Sequence, residues 1–344
     1  VKERRRRQIK RWRGIQNVLF EPEPQYGQTN KELIWKKNKS TLWYYPSSNK
    51  KYRIPLFLIY SLMNESYILD LAPGLSMIEA FTKEGYDVYL LDFGKPGYED
   101  NDITLDDYIL TYIEKGVQRA LLHAKSNEIS IVGYCLGGTL ATIYTALAKE
   151  PIRNLILFAP PINFSDSPWM PQWFDQLKNN KINVDDLLGE YGVIPAKIVG
   201  WGMRLATSPF TYSSYLSLVQ RADHPDSVRK WRLFNRWVNG HIPFSGATLK
   251  KLINDIIRDN KLINNELIIN QQPVLLSNIN ANLLLISTSG DQLVPENLSL
   301  PLIKKVSSPD KLYKRVKGGH VTLAMTGEIP EFLQEWLSKR SEEI

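Results

Sequence analysis

The stretch Glu128-Ile-Ser-Ile-Val-Gly-Tyr-Cys-Leu-Gly-Gly-Thr139 limits the folds open to this chain more than any other. A short β-branched run, Ile129, Ile131 and Val132, reaches Gly133. Cys135 then stands among small residues, and an alanine-rich segment with helical spacing follows. The pattern predicts a strand, a sharp turn and a helix, with a thiol at the turn. Gly133 and Gly137, two residues either side, let the backbone close tightly around a strained position. The amide of Leu136 then faces a developing oxyanion, and the helix N-terminus favours a thiolate. A small buried cysteine in a glycine-rich turn satisfies the same pentad, so the rest of the chain has to decide.

Alternating strands and helices flank this turn. Ile34 to Tyr45 alternates as an entry hairpin, and Pro55-Leu-Phe-Leu-Ile-Tyr60 is a continuous apolar run, expected of a buried parallel strand. Its loop, Ser61 to Ser66, lies where sites form in open α/β sheets. A helix broken near Pro73-Gly74 spans Tyr67 to Lys83. The strand Asp87–Asp92, a helix from Leu105 to Ala124, the elbow strand, a helix over Leu140–Ala148 and the strand Leu155–Ala159 follow. This order is the signature of a parallel sheet with crossover helices.

From Asn163 to Leu275 the alternation stops, and helices are expected near 184–191, 196–206, 225–238 and 246–259. Five of the nine tryptophans, Trp169, Trp173, Trp201, Trp231 and Trp237, fall here. They fill the segment's own core or line an apolar channel. The sheet resumes with Ala281–Ile286. A helix near 298–305, a strand near 312–316 and a final helix near 329–338 complete the pattern.

The fold class is therefore α/β: an α/β-hydrolase fold, with a mostly parallel central sheet and an inserted helical cap. Residues 1–50 are a basic arm and entry segment, 51–162 the first part of the core, 163–275 the cap and 276–344 the second part of the core. In this fold the catalytic order is nucleophile, acid, histidine, the last two on loops after late strands. Asp291 follows the strand 281–286 and His320 the strand 312–316, each beside a glycine (Gly290, Gly319). Three positions in the required order turn Cys135 into a nucleophile, His320 into its base and Asp291 into the group that orients the base. His123, His224 and His241 read as surface or structural residues, and Asp70 and Asp92 precede the nucleophile and break the order. A thiolate attacking a thioester forms another thioester, so transfer is nearly balanced and the acyl group stays activated. The site suits an acyltransferase, while a hydrolase would have to admit water.

Composition adds boundaries. One cysteine makes no intramolecular disulfide and no metal site by itself, and fits a reducing cytoplasm. No metal or cofactor is expected, since dinucleotide and P-loop glycine patterns are absent. No apolar run approaches the ~20 residues of a membrane span. The formal charge of +7 resides in residues 1–13, where eight Lys and Arg face Glu3 alone. That arm reads as solvated, or as the outer face of a helix. Contact with nucleic acid, a granule surface or an acidic partner is the alternative.

The residues as they stand resemble the poly(3-hydroxyalkanoate) synthases. Gly-Tyr-Cys-Leu-Gly-Gly at 133–138 is similar to that family's lipase-box-like motif. Asn64-x-x-Tyr-Ile-Leu-Asp-Leu71, Asp87-Val-Tyr-Leu-Leu-Asp-Phe-Gly94, Leu105-Asp-Asp-Tyr-Ile109, Trp231 to Trp237, Ile242-Pro243 and Gly318-Gly-His320 resemble its other recurring segments. Phe93 departs from the usual tryptophan, and the Arg-rich start has no match. The resemblance implies polymerisation of (R)-3-hydroxyacyl-CoA, of short chain, with release of CoA. Cys135 would carry the acyl group and His320 would deprotonate it. Asp291 would orient His320 and help activate the 3-hydroxyl. Leu136 N–H and a backbone N–H of the Leu62–Asn64 loop, that of Met63, would form the oxyanion hole. It further implies a small partner subunit of the PhaR or PhaE type (class IV more than class III), a homodimer of the catalytic chain and a place at the surface of cytoplasmic polyester granules.

Overall fold

The computed structural model describes residues 2–20, 22, 25–165 and 192–344. The main sheet has eight strands: β1 (Glu32–Lys37), β2 (Ser40–Tyr45), β3 (Leu56–Ile59), β4 (Val88–Asp92), β5 (Ile129–Tyr134), β6 (Ile152–Phe158), β7 (Asn282–Thr288) and β8 (Lys311–Val316). Their order is β1-β2-β4-β3-β5-β6-β7-β8. The strands from β4 to β8 are parallel, and the β1–β2 hairpin joins the edge antiparallel to β4.

Every residue of β3 and β5 is buried, as expected for strands covered on both faces. The two-residue period sends alternate side chains to opposite layers. Phe57, Ile59, Ile131, Leu155, Leu157 and Leu285 point to a core shared with Val117, Leu140 and Tyr144. These last three belong to the helices Glu114–Ala124 and Leu136–Leu147. Leu56, Leu58, Val132, Ile156 and Ile286 face the other way, toward Phe81, Leu333 and Trp336. That second layer is made by the helices Met77–Lys83 and Glu331–Ser338. We number these helices in chain order, with α1 reserved for Lys2–Phe20: α2 (Met77–Lys83), α3 (Glu114–Ala124), α4 (Leu136–Leu147), α5 (Ala196–Arg221), α6 (Pro225–Asn239) and α7 (Glu331–Ser338).

Several elements differ from the sequence reading, three of them with a direct cause or consequence. α4 begins at Leu136, earlier than the apolar run at 140, because Leu136 follows the elbow directly and Cys135 serves as N-cap. α5 runs to Arg221, well past 206. The expected helix near 298–305 is two short ones, Glu296–Ser299 and Leu302–Lys305, separated at Pro301.

The expected helix near 184–191, together with Trp169 and Trp173, lies outside the described residues. The rest of the cap is fastened to the core at two places. Ser245 and Thr248 hydroxyls donate to Ile103 O at 2.5 and 2.6 Å, next to the Lys251–Asp106 ion pair. At the other place Trp237 Nε1 donates to Glu65 O at 3.0 Å, and Asn64 and His241 form an isolated antiparallel bridge. Trp237 is buried against the core, Trp231 is half-buried and Trp201 is 72% exposed. The basic arm is a helix, α1. Its inner face meets the cap through Arg11, which pairs with Asp223 at 3.3 Å, and through Gly14, which packs against the Ala222 carbonyl. Arg5, Arg6, Lys10 and Arg13 remain exposed.

Candidate active site

Parallel pairing sets the site before any side chain is considered. Ile59 is registered with Gly133, Tyr134 with Phe158 and Phe158 with Ile286. The carboxyl ends of β3, β5, β6 and β7 therefore align, and the loops beyond them converge. Cys135 N–H donates to Phe158 O at 2.9 Å, which pins the first residue after β5 to its neighbour.

Cys135 adopts φ 54° and ψ −129°, a conformation that costs a non-glycine residue of order 1–3 kcal/mol. Its surroundings hold it there. A Cβ on Gly133 would stand 2.6 Å from Gly138 Cα, and one on Gly137 would collide with Ile59 O and the Tyr60 backbone. The glycines read from the pentad are thus required by close approach of β3, β5 and α4. Cys135 is partly exposed, so the thiol is reachable. Leu136 is the first residue of α4, and its N–H has no intrahelical acceptor.

His320 Nδ1 lies 2.7 Å from Asp291 Oδ2. A carboxylate only accepts, so Nδ1 carries the proton and Nε2 is left for Cys135. The Asp291 side chain is fully buried, and its other oxygen accepts from Leu293 N at 3.0 Å and Val294 N at 2.9 Å. The two loops brace each other, since Gly290 N donates to Gly318 O at 2.8 Å. Tyr134 Oη donates to His320 O at 2.7 Å, which ties the histidine loop back to the residue before Cys135. Burial opposes a charge on His320. The electrostatic and hydrogen-bonding contributions of the neighbouring Cys135 and Asp291 outweigh it and raise the imidazole pKa well above its ordinary value. The three candidates read from the sequence thus lie together: a thiol, an imidazole and a carboxylate.

The expected second oxyanion donor is placed differently. Met63 N–H donates to Ser61 Oγ at 3.2 Å, within its own loop, and so is committed elsewhere. A serine two residues before an amide is a local signal that reading by chain order passes over.

The residues set aside stay apart from this centre. His123 Nδ1 bonds Tyr89 Oη at 2.8 Å, His224 is exposed beside Asp223, and Asp70 accepts from Ser76 Oγ at 2.8 Å. Asp92 closes a turn by accepting from Gly94 N at 3.0 Å. His241 is half-buried at the cap junction, where burial lowers its pKa. Among the described residues no group of three or more His, Cys, Asp or Glu is placed to hold a metal ion. No described helix is long and apolar enough to cross a membrane.

Comparison with known proteins agrees with this geometry. Among solved structures, a monoglyceride lipase from Saccharomyces cerevisiae superposes with TM-score 0.58 at 15% identity, covering 93% of this chain and 98% of that one. The poly(3-hydroxyalkanoate) polymerase subunit PhaC of Haloferax mediterranei is 31% identical over 93% of this chain. The chain spans 66% of that relative's length. PhaC of Allochromatium vinosum is 28% identical over 95% of this chain and 93% of its own length. A family profile described as the alpha/beta hydrolase fold matches residues 55–324. By that match, and by the strand order that places Cys135, Asp291 and His320 on loops at the carboxyl end of one sheet, the chain belongs to the α/β-hydrolase fold family.

Proposed function

We propose that this protein is the catalytic subunit of a poly(3-hydroxyalkanoate) polymerase that transfers (R)-3-hydroxyacyl groups from CoA through an acyl-Cys135 thioester. The observation that carries the reading is a cysteine, not a serine, at the strained elbow, facing a histidine held by a buried carboxylate. The relatives named PhaC support the substrate class.

In the reaction His320 Nε2 takes the thiol proton, and the sulfur attacks the thioester carbonyl. The tetrahedral oxyanion forms beside Leu136 N–H at the start of α4, where the helix dipole favours negative charge. Collapse expels CoA thiolate, which His320 reprotonates. The bond formed and the bond broken are both thioesters, so the acyl group keeps its activation for a second transfer. There the 3-hydroxyl of another unit loses its proton toward the His320–Asp291 pair and attacks the acyl-Cys135 carbonyl; the ester C–O bond forms, the C–S bond breaks, and the Cys135 sulfur leaves and regains the proton from His320. Repetition lengthens the polyester.

The acyl group is of short chain, such as 3-hydroxybutyryl. The chain works as a homodimer with a small partner subunit, of class IV type, at the surface of a cytoplasmic granule. Glu32-Leu-Ile-Trp-Lys-Lys-Asn-Lys39, together with Tyr134 before Cys135, resembles the class IV catalytic subunit more than the class III one.

Incubation with 3-hydroxybutyryl-CoA, with and without a candidate small subunit, tests this. CoA release with insoluble polymer supports it. Stoichiometric free 3-hydroxybutyrate instead marks a cysteine thioesterase of the same fold. Cys135→Ala should lose both CoA release and covalent labelling by a 3-hydroxybutyryl-CoA analogue, and turnover retained in that variant overturns the mechanism.

A further inference from the structure

With Met63 N–H turned to Ser61, the oxyanion site keeps one evident backbone donor, Leu136 N–H. A centre that develops a full negative charge is ordinarily met by at least two. The register supplies a candidate for the second. Because Ile59 pairs with Gly133 in parallel, the next residue on each strand, Tyr60 and Tyr134, lie side by side, with ring centroids 6.1 Å apart. The Tyr60 backbone is the surface against which Gly137 of the elbow packs. On its far side the ring meets Trp237 of the cap edge-on, centroids 6.5 Å apart.

Tyr60 is 3% exposed, yet its hydroxyl makes no hydrogen bond among the described residues, and since it is not one of their fully enclosed unpaired atoms, part of that exposure is at the hydroxyl. Its neighbours are satisfied by contrast: Tyr134 Oη holds His320 O, and Trp237 Nε1 holds Glu65 O. A donor without a protein partner, open at one point beside the elbow, is free to meet an acceptor on substrate. Burial, and then the charge of Cys135, push the Tyr60 pKa well above 10, so the group stays a donor throughout.

We infer that Tyr60 is a catalytic residue whose hydroxyl donates a hydrogen bond to the thioester carbonyl oxygen as Cys135 attacks, completing the oxyanion hole with Leu136 N–H. No proton is transferred. The C–O bond order falls, negative charge grows on oxygen, and the phenolic O–H bond shortens its contact to it. This inference rests on the acyl-transfer reading of Cys135. It adds that the second donor is a side chain from the end of β3 and not the backbone of the loop beyond.

Tyr60→Phe removes the hydroxyl and little else. Single-turnover CoA release should fall about 10²–10³-fold, as for loss of one oxyanion donor. Alkylation of Cys135 by iodoacetamide and the thermal unfolding midpoint should stay unchanged, because neither involves an oxyanion. Full acylation in Tyr60→Phe overturns the proposal, and so does a parallel loss of acylation and alkylation, which marks a packing role. If the phenylalanine variant fails to fold, 3-fluorotyrosine at position 60 decides. Its more acidic phenol should change the acylation rate at constant alkylation rate, and an unchanged rate overturns the proposal. Cys135→Ala, run alongside, separates the two ideas, since CoA release surviving there removes the acyl-cysteine itself.

Discussion

His320 Nδ1 and Asp291 Oδ2 are 2.7 Å apart, although 29 positions separate the residues in sequence. The carboxylate is fully buried, whereas the imidazole side chain keeps 15% exposure. One partner is a fixed anchor and the other stays partly open.

Asp291→Asn keeps the shape of the anchor but lets the amide stabilise the wrong imidazole tautomer. By analogy with hydroxyl triads, CoA release should drop by roughly 10²–10⁴-fold. Chain elongation should slow more than the first acylation, because activation of the 3-hydroxyl also relies on the pair. Equal loss in single-turnover acylation and in polymer growth would show that Asp291 only holds His320.

The raised pKa of His320 is also a stability statement. The folded state binds the proton more tightly than the unfolded chain, whose histidine titrates near ~6.5. The contribution is therefore complete below about pH 6.5 and is lost as pH rises through the folded-state value. The difference in thermal midpoint between the protein and His320→Gln should be largest below about pH 6.5 and shrink as pH rises above it. A difference that grows with pH would contradict the direction of the shift.

Gly137→Ala inserts a methyl against Ile59 O and the Tyr60 backbone, atoms of a buried strand end that cannot swing away. Urea unfolding should show a loss of roughly 1–3 kcal/mol, with activity reduced further as the elbow shifts. Gly202→Ala in α5, where nothing lies within 4 Å of an added Cβ, should instead gain up to about 1 kcal/mol of helix propensity. Equal effects at the two sites would mean that close approach does not set the elbow.

At the cap, Gly14 allows α1 to lie on the Ala222 carbonyl, with Arg11 Nη2 donating to Gln220 O at 2.8 Å. Gly14→Leu should lift the helix off while leaving the sheet intact. Trypsin should then cut within residues 2–13 roughly tenfold faster, read by mass spectrometry, with no change in the main unfolding transition. Unchanged cleavage would place the docking energy elsewhere on α1.

Much of the architecture was legible because the relevant signals are local. Fully apolar runs such as Leu56–Ile59 announce strands covered on both faces, and the Gly133-x-Cys135-x-Gly137 spacing announces a strained turn. The order Cys135, Asp291, His320 follows from connectivity alone. α5 was underestimated because residues 207–221 include Ser, Thr and a proline, whose weak propensity gives no clear signal to continue. The helix at 298–305 was overestimated because its apolar spacing hid the break at Pro301.

The sequence by itself determined the type of sheet, the position of Cys135 at the elbow and the chain order of Asp291 and His320, since each depends on residue type and spacing along one strand–loop unit. Only the tertiary structure decided which donors remain for the oxyanion. Whether Met63 N–H is captured by Ser61, and whether the Tyr60 hydroxyl is left without a bond, depends on how β3 lies beside β5 and under Trp237. Hydrogen bonds saturate, and which groups reach one another first is a property of the packed chain and not of its order.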